Sequence, residues 1–204
     1  MIRPYDQLFN WPNLLTLIRI LVIPLLVIFF YLPVKWSHLA AMILFSLASV
    51  TDWLDGYLAR YLKQSTKLGA FLDPVADKLM VSVALVLIVA EPTFQTVAMT
   101  SGIVTIPTIL ITLPAAIIVS REIIVSALRE WMAEVGKRTS VAVSTIGKIK
   151  TAVQMVALAV LLYCDNTTGM TLIITGYLLL YAAAILTIWS MLVYLKAASL
   201  HLLS

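Results

Sequence analysis

From Leu14 to Tyr31 the chain reads LLTLIRILVIPLLVIFFY, an apolar run interrupted by one charge, Arg19. No other feature constrains the fold as strongly. A helix needs roughly 20 mostly apolar residues to cross the hydrocarbon core of a bilayer. There the backbone must satisfy its own hydrogen bonds, which only helices and closed barrels do. Apolar runs of this kind recur along the chain and predict helical spans at about 12–31, 38–57, 70–90, 101–124, 146–164 and 170–195. The expected architecture is an all-α, polytopic membrane protein, a six-helix bundle built as one domain over residues 1–204. Composition agrees, since 62% of residues are hydrophobic and only 12% charged, about half the usual charged share of a globular protein. The first run is too long for a signal-peptide core and lacks a small-residue cleavage pattern, so it is expected to remain as a span. Pro24, Pro107 and Pro114 fall inside predicted spans, where neighbouring groups can repair the lost bonds. A single cysteine, Cys164, allows no internal disulfide.

Charge sets the expected orientation. With six spans in order, one side receives both termini and the connections after the second and fourth spans. Of the 14 Lys and Arg residues all but Lys35 fall on that side, the asymmetry that marks a cytoplasmic face. Both termini and the aspartate cluster are therefore expected on the cytoplasmic side of the membrane. Part of the charge after the fourth span serves only to attract anionic lipid headgroups, and no nucleic-acid partner is expected.

The acids are less evenly spread. Four of the 10, Asp52, Asp55, Asp73 and Asp77, lie within TDWLDGYLARYLKQSTKLGAFLDPVADK, residues 51–78. As a pattern this is D-x2-D-G-x2-A-R-x8-G-x3-D-x3-D. At roughly 100° per residue, Asp52, Asp55, Gly56 and Ala59 share one face of the second helix, and Gly69, Asp73 and Asp77 share one face of the third. Carboxylates gathered at membrane depth repel and need compensation. Hard oxygen donors without His or Cys suit Mg2+ or Mn2+ rather than Zn2+, and four acids can hold two such ions about 3.5–4 Å apart for displacement at phosphorus. A plainer reading stands beside this one: Asp73 before Pro74 is an ordinary helix N-cap, with Asp52 and Asp55 as solvated interface residues. The histidines, His38 and His201, lie outside the cluster and read as interface residues.

The complete pattern resembles the signature of the CDP-alcohol phosphatidyltransferase family, with every motif position present. The resemblance implies a transferase acting on a CDP-activated lipid, with Asp52, Asp55, Asp73 and Asp77 as ligands of two divalent cations. It further implies that Asp77 is the base for the acceptor hydroxyl, and that Gly56, Ala59, Arg60 and Gly69 lie along the nucleotide and phosphates. Asn13, Thr16 and Arg19, on one i+3 ridge of the first span, are expected to line the CDP-diacylglycerol headgroup. The alternative there is an ordinary helix entrance with a snorkelling Arg19.

The connection after the fourth span holds Arg121, Arg129, Lys137, Arg138, Lys148 and Lys150. Part of that charge is a helix surface, Glu134 and Arg138 standing at i, i+4. Further resemblance, carried by GAFLDPVADKLM, SREIIVSALREWMAE and GKRTSVAVSTIGKIKT, is to the members of the family that use glycerol 3-phosphate as acceptor. By physical suitability its phosphate is assigned to Arg121, Lys137, Lys148 or Lys150, with Ser140. A homodimer is also implied by the family resemblance. Two alternatives stay open: the same chemistry with serine or inositol phosphate, and a divalent-cation or proton-coupled transporter, since intramembrane carboxylates also mark ion paths.

Overall fold

The computed structural model describes residues 11–62, 67–99, 102–105, 107–134 and 145–202. Among these residues there are six α-helices: α1 Trp11–Tyr31, α2 Ser37–Leu62, α3 Lys67–Ala90, α4 Ile109–Glu134, α5 Thr145–Tyr163 and α6 Met170–Leu202. Between α3 and α4 stand a 3₁₀ turn, Pro92–Phe94, and an antiparallel hairpin of β1 Thr96–Met99 and β2 Gly102–Thr105. Its register sets Thr96 opposite Thr105 and Met99 opposite Gly102.

The hairpin corrects the expectation of a purely helical chain and of a fourth span starting at residue 101. Thr96, Val97, Ile103, Val104 and Thr105 are β-branched and favour extended backbone. Pro107 disfavours helical backbone in the residue before it, and it stands just ahead of α4 instead of inside a span. Its carbonyl accepts from Leu110 N at 2.9 Å, opening the helix. The 3₁₀ turn is capped by Glu91, whose carboxylate accepts from Thr93 Oγ1 at 2.7 Å and Thr93 N at 3.3 Å.

Among the described residues three helical segments are long and apolar enough to cross a membrane, Leu14–Tyr31, Ile109–Glu134 and Met170–Lys196, and the apolar stretches Ser37–Asp52 and Ile149–Tyr163 are shorter. Large apolar side chains stand outward as well as inward: Leu21 of α1, Phe71 and Val86 of α3 and Leu178 of α6 are each 66% exposed, a pattern suited to lipid rather than water. The fold is that of a helical membrane protein.

The chain divides into two compact units, Met1–Ala90 with Leu162–Asp165, and Glu91–Leu161 with Asn166–Ser204. In the first, α1 packs against both α2 and α3. The buried stripe of α1 runs Thr16, Arg19, Leu26, Phe30, and that of α2 runs Ser37, Ala41, Phe45, Ala48. On α3 Ala76, Met80 and Ala84 continue the same kind of stripe. Asp52 prolongs the α2 stripe by one turn, and Asp73 and Asp77 extend that of α3 toward its start. The polar site is thus the continuation of three inward-facing stripes. His38 is structural here: its ring lies 4.6 Å from that of Phe30, and Nδ1 donates to the Leu162 carbonyl at 3.2 Å.

In the second unit α4 packs against α6. Ile111, Ala115, Ile118, Arg121, Val125 and Met132 form the buried stripe of α4, and Ile173, Leu180, Ala183, Thr187, Ser190 and Tyr194 that of α6. Gly176 belongs to a close approach between α6 and α5. A Cβ placed there would stand 2.5 Å from Leu161 Cδ2 and 2.9 Å from its Cγ, and Leu161 is fully buried. Replacing Gly176 with alanine is therefore expected to destabilise the protein by about 1–3 kcal/mol through overpacking. Thermal unfolding in detergent measures this, and an unchanged midpoint would show that the helices separate without cost.

Candidate active site

Three helices bring the first group of polar side chains together. Arg19 on α1 is 1% exposed, and its Nη1 donates to Asp52 Oδ1 of α2 at 2.5 Å and to Asp77 Oδ1 of α3 at 2.8 Å. Three residues earlier on α1, Thr16 Oγ1 donates to Asp73 Oδ1 of α3 at 2.5 Å. Thr16 and Arg19 therefore pair, in chain order, with Asp73 and Asp77. That correspondence makes α1 and α3 run in the same direction, as helices separated by one reversed helix must.

The electrostatic reason for the arrangement is direct. A guanidinium at the start of an apolar helix is costly unless paired, and two carboxylates near one another are costly unless a cation lies between them. Each solves the other's problem. The carboxylates remain about one-third exposed, Asp52 at 32% and Asp77 at 39%, while the guanidinium lies buried behind them. Gly69 is buried one turn before Asp73. The N-cap reading of Asp73 does not hold, because α3 begins at Lys67 and Pro74 lies inside it. A proline there leaves the Ala70 carbonyl without its helical donor, loosening the turn that carries Asp73.

Of the expected metal ligands, Asp52, Asp73 and Asp77 thus converge on α1, with Asp52 and Asp77 sharing one donor nitrogen. Asp55, Gly56, Ala59 and Arg60 lie on the last turns of α2, and Asn13 on the first turn of α1, with side chains outside the described residues. Among the described residues no group of three or more His, Cys, Asp or Glu stands close enough to hold a metal ion by itself. Thr16 and Arg19, expected to line a headgroup, are bonded to Asp73 and to Asp52 and Asp77. The signal available in the sequence was the lone charge of an apolar run, which needs counter-charges somewhere in the fold.

The second unit carries another polar group. Arg121 is buried on α4, and its Nη2 donates to Ser190 Oγ of α6 at 2.9 Å while Nη1 reaches Glu122 Oε1 at 3.2 Å. Lys150 of α5 is 2% exposed, and its ammonium donates to the same Glu122 oxygen. The Tyr194 ring takes the Arg121 guanidinium at 5.6 Å and the Arg129 guanidinium at 5.2 Å from its centroid, and Arg129 Nη2 donates to Tyr194 Oη at 3.0 Å. Of the cations assigned to the acceptor, then, Arg121 and Lys150 meet on Glu122. Lys148 lies on α5 with its side chain outside the described residues, as Lys137 and Ser140 are altogether. Sequence reasoning weighed the cations of this stretch and passed over Glu122. The available signal was again an unbalanced count, an acid within an expected span beside an arginine.

A helical membrane protein that gathers aspartates and a buried arginine among its first three helices has the makings of a phosphoryl-transfer site without a protein nucleophile. A model of the CDP-alcohol phosphatidyltransferase family matches residues 9–189, and the chain belongs to that family. It is similar to CDP-diacylglycerol–glycerol-3-phosphate 3-phosphatidyltransferase of Escherichia coli, with 54% identity over 195 residues, 96% of this chain and 98% of that protein. The proteins of the same name from Shigella boydii and Shigella sonnei match with the same identity and coverage.

Proposed function

We propose that the protein transfers the phosphatidyl group of CDP-diacylglycerol to the 1-hydroxyl of sn-glycerol 3-phosphate, giving phosphatidylglycerol phosphate and CMP. The observation that carries this reading is the 54% identity, over 96% of the chain, to a relative named for that reaction. The site of the first unit is chemically suited to it. Breaking a pyrophosphate demands neutralisation of charge and alignment more than covalent help from the protein. Asp52, Asp73 and Asp77 offer hard oxygen donors, two of them already converging on one positive charge, which is the donor chemistry a divalent cation requires. With Asp55 they would hold two divalent cations, Mg2+ or Mn2+. Bound there, the ions would supply charge neutralisation at the pyrophosphate.

The chain's own residues do the rest. Asp77, half-buried on α3, takes the proton of the acceptor hydroxyl as its oxygen attacks the phosphorus bearing the diacylglycerol, and the bond from that phosphorus to CMP breaks. Thr16 fixes the rotamer of Asp73. Asn13, Thr16, Arg19, Gly56, Ala59, Arg60 and Gly69 line the CDP-diacylglycerol. Arg121, Lys137, Lys148, Lys150 and Ser140 receive the phosphate of glycerol 3-phosphate, Arg121 with its guanidinium oriented by Ser190 and Tyr194. In this reading residues 1–204 form one catalytic domain of six membrane spans in the bacterial inner membrane. Both termini and the site face the cytoplasm, lipid covers the outward apolar faces, and a second copy covers part of them as a homodimer. The bias of Lys and Arg to one set of connections supports the orientation.

The deciding experiment is CMP release from CDP-diacylglycerol by the purified protein, with and without Mg2+ or Mn2+, offering glycerol 3-phosphate, serine and inositol phosphate in parallel. Release is expected only with both a divalent cation and glycerol 3-phosphate. Release with another alcohol keeps the chemistry and changes the acceptor, whereas folded protein inert with all three would return the carboxylates to an ion-transport reading.

A further inference from the structure

We propose that Gln154 of α5 and Thr187 of α6, together with the Nε–H of Arg121, bind the 2-hydroxyl of the acceptor and so select glycerol 3-phosphate among phosphorylated alcohols. The inference deepens the acceptor reading given above and rests on it. Among the described residues, three buried polar atoms of the second unit have no hydrogen-bond partner: Arg121 Nε, Gln154 Oε1 and Thr187 Oγ1. Gln154 is 2% exposed and Thr187 0%. Leaving such atoms unpaired is costly, and native folds seldom do so without a reason.

Helix direction places these atoms on one level. Arg121 bonds Ser190 and Arg129 bonds Tyr194, so α4 and α6 run the same way. α5 runs against them: its Lys150 bonds Glu122, beside Arg121, whereas its Leu161 meets Gly176, well before Ser190 on α6. Gln154 stands one turn after Lys150, and Thr187 one turn before Ser190. On antiparallel helices those steps lead to the same side. Both residues therefore lie about one turn, ~5 Å, beyond the cations assigned to the acceptor phosphate, within reach of a three-carbon chain.

The atoms also define the ligand's chemistry. Gln154 Oε1 can only accept a hydrogen bond and Arg121 Nε–H can only donate one. A phosphate or carboxylate would leave the first unpaired, and an ammonium the second. A hydroxyl does both, and Thr187 can turn its own hydroxyl to either role.

The test compares two acceptors, glycerol 3-phosphate and 3-hydroxypropyl phosphate, which keeps the phosphate and the attacking hydroxyl but lacks the 2-hydroxyl. kcat/KM for CMP release is measured with each on wild type, Gln154→Met, Thr187→Val and the double variant. Wild type is expected to prefer glycerol 3-phosphate roughly ten- to hundredfold, the range set by leaving buried polar groups unpaired. The preference should shrink in each single variant and approach unity in the double variant, chiefly through loss with glycerol 3-phosphate. Thr187→Ser, which keeps the hydroxyl, should restore it. Since the substitutions remove unpaired polar atoms at similar volume, the unfolding temperature without substrate should hold or rise. A preference that survives in all variants, an equal loss with both acceptors, or wild type indifferent to the 2-hydroxyl overturns this inference alone. Failure of both single variants to fold overturns it too, because the fold, through bridging water or otherwise, would then be what uses these atoms. Wild type inert with both acceptors overturns the acceptor reading itself.

Discussion

Asp77→Asn is expected to lower kcat for CMP release on the order of a thousandfold while leaving the protein folded. General-base catalysis alone is worth roughly a hundred- to ten-thousandfold, and the same carboxylate is assigned to cation binding. The substitution suits the test because asparagine keeps the size of the side chain and an oxygen that can still accept from Arg19 Nη1, now 2.8 Å from Asp77 Oδ1. The α1–α3 packing should therefore survive, and the unfolding temperature should change little. Asp77→Glu keeps the charge and displaces it by one methylene, and it should retain more activity than the amide. Comparing kcat with KM separates the roles. Loss confined to KM would mean that Asp77 binds but takes no part in proton transfer. Asp77→Asn with wild-type turnover would remove it from the chemistry altogether.

The residues of this site were legible in the sequence to different depths. Asp52, Asp73 and Asp77 announce themselves, because carboxylates are rare beside long apolar runs and helical spacing puts Asp73 and Asp77 on one face. The helices were legible for the same reason, since an apolar run long enough to span has few alternatives to helix. What periodicity cannot express is which helix lies against which. Arg19 meets Asp52 across 33 positions and Asp77 across 58, and nothing local to Arg19 distinguishes a buried counter-ion from a snorkelling charge or a headgroup contact. The carboxylates were expected to meet between the second and third helices with Thr16 and Arg19 lining a headgroup nearby, whereas the observed bonds join those two residues to the carboxylates directly. Residues 102–105 were read as the start of a span because β-branched residues suit a strand as well as a lipid-facing helix, and only the Pro107 break argued for the former. Glu122 was overlooked since a carboxylate in a stretch rich in cations looks like helix-surface charge until Lys150, 28 positions away, is seen to bond it.

Glu122→Gln is expected to be the most destabilising substitution in the second unit, lowering stability by about 3–5 kcal/mol, the usual cost of stripping a buried cation of its counter-ion. Two cations depend on this one carboxylate oxygen, Lys150 at 3% side-chain exposure and Arg121 at 8%. Arg121 keeps Ser190 and the face of Tyr194 as partners, so Lys150 bears most of the loss. The companion variant decides whether the cost is electrostatic. A buried pair removed whole, by Glu122→Gln together with Lys150→Met, leaves no charge uncompensated and is expected to recover most of the stability, because apolar replacements of buried ion pairs are often neutral. Unfolding of the two single variants and the double variant in one detergent closes the cycle. Additive losses would mean that Glu122 and Lys150 act independently and that the pairing contributes nothing. Recovery of stability with continued loss of glycerol 3-phosphate binding would separate what Lys150 does for the fold from what it does for the acceptor. If Lys150 serves only the fold, the double variant should bind glycerol 3-phosphate as wild type does, leaving Arg121 and the cations before α5 to hold the phosphate.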